Sequence, residues 1–165
     1  MAQPVIWVID TSSIIEVRRL GNQKKPKIFE QLGALVQAGR LVFPKEVVNE
    51  LKRAASTDSP DDQHEWAKRW EAEASQHAPS FEQVKDVLSR VSRVLDPDKD
   101  TGVEEADPYV LAMASRLRGE GKDARIVTQE IKDTPRKMSL STAAGVLGLA
   151  SVPLKAFLEF EGIDS

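Results

Sequence analysis

The sequence predicts an α/β fold with a short, mainly parallel sheet. Three observations carry this. Apolar, β-branched runs alternate along the chain with segments of helical periodicity. The first run, Pro-Val-Ile-Trp-Val-Ile from Pro4 to Ile9, is apolar at every position, as a strand covered on both faces must be. Polar capping residues or a proline follow most of these runs, where a helix would begin. The 165 residues fit one domain, residues 1–165, with a helical excursion at about 54–95. Hydrophobic residues make up 41% of the chain, enough for an ordinary globular core.

Each element has its own reason. Pro4 to Ile9 is the first strand. Asp10-Thr11-Ser12-Ser13 can cap a helix starting near Ile14. Lys27 to Gln37 carries Ile28, Phe29, Leu32, Leu35 and Val36 at helical spacing, and Gly39 stops it. Leu41 to Phe43 is a second strand. Pro44 sits in the first turn of a helix whose inner face is Val47, Val48 and Leu51. Thr57 to Asp62 is a turn-rich break. Gln63 to Ser75 is helical, with Trp66 and Trp70 four apart, read mainly as packing residues. Ser80 and Gln83 form a capping box for a helix expected to run through Leu95. Asp96 to Gly102 is a polar loop. Asp107-Pro108 opens a helix that Gly119 and Gly121 end. Ala124 to Val127 is a strand and Asp133 to Ser139 a loop. Ser141 to Leu147 is a short helix, Ala150 to Val152 a last strand, and Leu154 to Glu161 a last helix.

Composition removes several chemistries. With no cysteine there are no disulfides, thiolate nucleophiles or iron–sulfur clusters. Two histidines, His64 and His77, do not make a structural zinc site. The N-terminal apolar run is short and lacks a basic leader, and no stretch approaches the ~18 apolar residues of a membrane span. The chain therefore reads as soluble and cytoplasmic, with no membrane partner. The net charge of −3 gives no global signal for nucleic acid. The charge is unevenly placed, however. Arg18 to Arg53 holds nine basic residues against three acidic ones, and Asp96 to Asp107 holds six acids against Lys99. A basic surface beside an acidic cluster suits a metal site that handles a phosphate backbone, although solvated helix faces would look the same.

In a parallel α/β sheet, ligands bind beyond the carboxyl ends of the strands. Asp10 immediately follows the first strand, and Glu130 lies three residues after Val127. Asp107 starts a helix facing the same edge, and Glu50 borders the apolar face of its helix. Four carboxylates can thus converge on one edge. Crowded carboxylates repel, and a divalent cation or a proton resolves the repulsion. Oxygen ligands without histidine or cysteine select Mg²⁺ or Mn²⁺. Such ions on carboxylates are the apparatus of phosphodiester hydrolysis. Singly the signals are ordinary: Asp10 and Asp107 can each be a helix cap, and Glu50 and Glu130 can face solvent. Glu104, Glu105 and Asp133 read mainly as surface charge.

The joint pattern resembles the PIN-domain nucleases. The resemblance rests on Val-Ile-Asp-Thr-Ser-Ser-Ile-Ile (Val8 to Ile15), Val-Val-Asn-Glu-Leu around Glu50, Glu-Ala-Asp-Pro-Tyr-Val-Leu-Ala-Met-Ala (Glu105 to Ala114) and Ile-Val-Thr-Gln-Glu (Ile126 to Glu130). It runs from about Val5 to the last helix and is similar to a bacterial and archaeal PIN-like branch related to VapC-type toxins. The resemblance implies a three-layer α/β/α sandwich and Mg²⁺- or Mn²⁺-dependent endoribonuclease activity. It makes Asp10, Glu50, Asp107 and Glu130 the catalytic and metal-holding acids, with Ser12 and Thr128 as supporting hydroxyls. Arg18, Arg19, Lys24, Lys25 and Lys27 become candidates to track the RNA backbone. Many members are toxins of toxin–antitoxin pairs and form homodimers. The implied partners are therefore an RNA substrate, a cognate antitoxin and a second copy of the chain.

Three features depart from the family pattern, one of them a longer excursion at 54–79 that holds Trp66 and Trp70. The fourth acid is a glutamate, and Lys132 stands where an aspartate is common. These last two sustain a competing reading, a PIN-like binding module with a weakened metal site and no turnover. A haloacid-dehalogenase-type phosphatase would need an aspartate where Ser12 stands. No strand is followed by a glycine-rich phosphate loop, and no Gly-x-Ser-x-Gly turn is present.

Overall fold

The computed structural model describes residues 3–21, 23–54, 62–96 and 105–164. Strands β1 (Val5–Ile9), β2 (Leu41–Val42), β3 (Asp123–Val127) and β4 (Ala150–Val152) form one sheet in the order β2-β1-β3-β4. Every neighbouring pair is parallel, with Ile9 opposite Val127 and Val127 opposite Val152. The helices among the described residues are α1 (Thr11–Glu16), α2 (Lys25–Gln37), α3 (Lys45–Arg53), α4 (Asp62–Ala74), α5 (Phe81–Arg90), α6 (Asp107–Gly119), α7 (Leu140–Val146) and α8 (Leu154–Phe160). They flank the sheet as a three-layer α/β/α sandwich, the expected class. No helix among the described residues is long and apolar enough to cross a membrane.

The chain leaves β1 for β2 on one side and comes back to β3 on the other. β1 and β3 are therefore central neighbours whose connections part in opposite directions. The crevice at their carboxyl ends is where such sheets bind ligands. The floor beneath it is rigid. Val8, Ile9, Ile126 and Val127 are fully buried, and so are Val110 to Ala114 of α6. Five consecutive buried positions mean that α6 is covered on all sides, as a helix in the middle of a core must be. At the opposite end, Glu161 accepts two hydrogen bonds from Arg40 (2.8 and 2.7 Å) and one from the Trp7 indole N–H (2.8 Å), tying the C-terminal segment to β1.

The tryptophans of α4 are packing residues. Trp66 is buried, donates its indole N–H to the Phe29 carbonyl (3.0 Å) and lies 5.4 and 5.6 Å from the Phe29 and Phe43 rings. Trp70 fills the space a side chain on Gly33 would occupy, since a Cβ there would meet its ring at 2.9 Å. Gly33→Ala is therefore expected to force α2 and α4 apart and destabilise the protein by about 1–3 kcal/mol. A thermal melt would read this, and an unchanged midpoint would mean that Trp70 can swing clear.

Several boundaries differ from the sequence reading. α1 starts at Thr11, three residues earlier than expected, because Asp10 itself is the cap. α5 stops at Arg90. Val91 leaves the helical region and a 3₁₀ turn, Ser92–Val94, follows, so that Val91 and Val94 are both buried. Ala106, with no capping side chain, is the N-cap of α6, and Asp107 is its first residue. The predicted break at 57–62 lies outside the described residues except for Asp62, which is the first residue of α4, and most of the predicted loop at 96–102 lies outside them too, as does Glu104.

Candidate functional site

Asp10 is fixed by the backbone before its side chain does anything. Its N–H extends the β1–β3 ladder to the Val127 carbonyl (3.1 Å), and its extended conformation turns the chain into α1. The carboxylate caps α1 through the Ser13 N–H (3.0 Å), and it is not only a cap. Ser12 Oγ donates to it at 2.9 Å and Thr128 Oγ1 at 2.6 Å. Asp10 is only 1% exposed. Burial drives its carboxyl up to about 6 in spite of the hydrogen bonds from Thr128, Ser13 and Ser12, with the charge of Glu130 adding to the rise.

Asp107 enters from the first turn of α6. It is 5% exposed and makes no capping bond, so its burial serves something other than the helix end. Burial first, and the nearby Glu130 second, push its carboxyl up to about 8 against the pull of Lys137. Glu130 arrives from the loop after β3, which is pinned along its length. Gln129 N–H donates to Ser12 Oγ and Glu130 N–H to Thr128 Oγ1, both at 3.0 Å. The Glu130 carbonyl accepts the Ser141 N–H (3.0 Å), and Gln129 Oε1 takes the Leu154 N–H (2.7 Å). One oxygen from each of Asp10, Asp107 and Glu130 lies within 4.8 Å of the others.

Asp107 and Glu130 line an open cleft of about 410 Å³ together with Thr11, Ser12, Ile15, Glu50, Arg53, Ala54, Glu105 and Lys137, and the buried Asp10 meets them beneath its surface. Glu50 stands on the wall beside the three-acid cluster. Its carboxylate accepts the Thr11 hydroxyl (2.5 Å) and the Ala106 N–H (3.2 Å), so it ties α1 and the start of α6 to α3. Ser12 and Thr128 both hold Asp10, and each also fixes a backbone N–H of the Glu130 loop.

The five basic candidates lie apart from the cleft lining. Arg19 pairs with Glu16 (3.2 Å) and Lys25 with Asp62 (2.8 Å), while Arg18, Lys24 and Lys27 are exposed on the surface around the start of α2.

Two site residues escaped the sequence reading. Lys137 Nζ lies 2.7 Å from Asp107 Oδ2 and 3.0 Å from Glu130 Oε1, within the acidic cluster itself. The attraction of these two carboxylates outweighs burial and holds its ammonium protonated, above the usual lysine range. Glu105 is buried, not surface charge as its acidic neighbours suggested, and it accepts the Asp96 N–H at 3.2–3.3 Å. Asp133 is exposed as expected but closes the loop before α7 by accepting the Ser139 N–H (2.9 Å), which holds its carboxyl below the usual range.

A family model matches residues 7–164, which take in every acid of the cleft and Lys137. The chain belongs to the family described as Domain of unknown function (DUF4411). No curated protein matches it. The DUF4411 match begins within β1 and ends beyond α8, so the sheet edge, both central loops and the cleft are parts of the family's own domain.

Proposed function

We propose that this DUF4411 domain is a metal-dependent endoribonuclease of the PIN-like kind, hydrolysing RNA phosphodiester bonds. One observation carries the reading: three carboxylates, two of them buried, meet at the carboxyl ends of the central parallel strands, and two of the three, Asp107 and Glu130, line an open cleft. A purely structural role would not gather acids where burial penalises their charge. The donor set fits a hard cation, since it is all oxygen and includes neither histidine nor cysteine.

Asp10, Asp107 and Glu130 would hold Mg²⁺ or Mn²⁺, which when bound supplies an acidified water and neutralises charge on the phosphate. Ser12 and Thr128 keep the Asp10 carboxylate from rotating and so act as positioning residues. Glu50, on the wall, would orient a water. Hydrolysis adds water across the P–O3′ bond and leaves a 3′-hydroxyl and a 5′-phosphate. Of the five basic candidates, Arg18, Lys24 and Lys27 are exposed and are the ones we assign to follow the RNA backbone beyond the cleft. An antitoxin and a second copy of the chain are the protein partners this reading carries with it.

The competing reading, a binding module without turnover, draws on Lys137, whose ammonium already pairs with two of the three acids. Mixed end-labelled single-stranded RNA incubated in Mn²⁺ separates the two. Cleavage is expected, lost in EDTA and restored by excess Mn²⁺. Cleavage that continues in EDTA would overturn the metal mechanism. Stabilisation by Mn²⁺ with no cleavage of any RNA would favour the binding module.

A further inference from the structure

We propose that Lys137 is the second cation of this site: its ammonium holds a phosphate oxygen of the substrate and takes the place of a second metal ion. This rests on reading the cleft as a metal-dependent phosphodiesterase. An ammonium has three N–H donors. Two are spent on Asp107 and Glu130, and the side chain borders the cleft with 21% of its surface exposed, so the third is available to a ligand there.

The lysine is also built into place. Its backbone N–H and carbonyl both bond to Thr134 across a tight turn (3.3 and 2.9 Å), and the Thr134 hydroxyl takes the same N–H at 3.1 Å. The next two residues are anchored in turn, Met138 N–H on the Arg93 carbonyl (2.7 Å) and Ser139 N–H on Asp133. A surface lysine that met acids by chance would not need four backbone anchors. Charge accounting agrees. Asp10, Asp107 and Glu130 carry three negative charges, which one divalent ion and one ammonium balance. A second divalent ion held by Asp107 and Glu130 would have to compete with Lys137 for their oxygens, against its positive charge. Such a site has one metal and a fixed lysine placed to neutralise the phosphate.

Calorimetric titration of Mn²⁺ into metal-free wild type is expected to give one ion per chain. Two ions would overturn the lysine assignment and leave the metal site standing. None would overturn the metal reading, and the lysine assignment with it. Lys137→Gln, checked for folding by thermal melting in Mn²⁺, is expected to bind Mn²⁺ about three-fold tighter, because no ammonium competes for the carboxylates. It should nevertheless bind a short single-stranded RNA about ten-fold more weakly in Ca²⁺, with the RNA shown intact on a gel. Lys137→Arg should recover most of that loss. RNA affinity unchanged in Lys137→Gln would reduce Lys137 to a counterion of the acids and sink the proposal.

Discussion

Replacing Asp107 with asparagine is expected to lower RNA cleavage about a thousand-fold, which is the scale of removing one preorganised charged group from a reaction centre. The same change should leave the metal-free protein at least as stable as wild type at pH 8. The two halves belong together. Asp107 is 5% exposed and caps nothing, and burial and Glu130 both work against its charge. Asparagine has nearly the same shape, cannot ionise, and keeps an oxygen for Lys137, so the fold loses little. What it removes is a charged ligand from the three-acid cluster. A site that trades stability for activity responds in this way, whereas a structural acid does the reverse. Glu161 is the internal contrast. Burial opposes its charge, but hydrogen bonds from Arg40 and Trp7 overcome this and hold its carboxyl below the usual range, and it lies at the other end of the sheet. Rates measured on single-stranded RNA in saturating Mn²⁺, beside melts in EDTA, read both halves. Full cleavage by a folded Asp107→Asn protein would move the active site elsewhere.

How much of this was legible in the sequence depended on how far apart the interacting residues are. The strands were legible because unbroken apolar runs such as Pro4 to Ile9 admit little else. Asp10 was legible because an acid directly after a buried strand has few structural excuses. The end of α5 was not. Its apolar spacing continues past Arg90 without a glycine or proline, and the break comes from partners far along the chain. Met138 bonds to the Arg93 carbonyl, and Glu105 receives the Asp96 N–H. Glu105 itself sat in an acidic run, where one buried carboxylate looks like its solvated neighbours. Lys137 was the hardest to see. It lies in an irregular polar loop, 30 residues from Asp107, with no periodicity to say which way it faces. The turn between Thr134 and Lys137 aims it, and no local pattern in the sequence predicts that aim.

The metal-free protein is expected to lose stability steadily as pH rises from 5 to 8. Asp10 and Asp107 have ordinary values of 3.8, raised in the fold to about 6 and about 8. Between those limits the folded state keeps protons that the unfolded chain has released. Stability must then fall with rising pH, and for Asp10 alone the full shift is worth about 3 kcal/mol. The other shifted groups act outside this window. Glu161 and Asp133 are lowered from 4.5 and 3.8, so the stability they contribute disappears only as pH falls below those values. Lys137 is raised above 10.5, so its contribution is complete below that pH and is lost only well above pH 8. For a domain of this size the melting midpoint in EDTA should drop by roughly 10–20 °C between pH 5 and pH 8, most of it from Asp107. Excess Mn²⁺ should reverse the slope. The ion needs ionised carboxylates, so its binding displaces the protons and strengthens as pH rises. A midpoint that stays flat in EDTA would mean that Lys137 alone satisfies the cluster, and the structural argument that these acids await a divalent cation would lose its force.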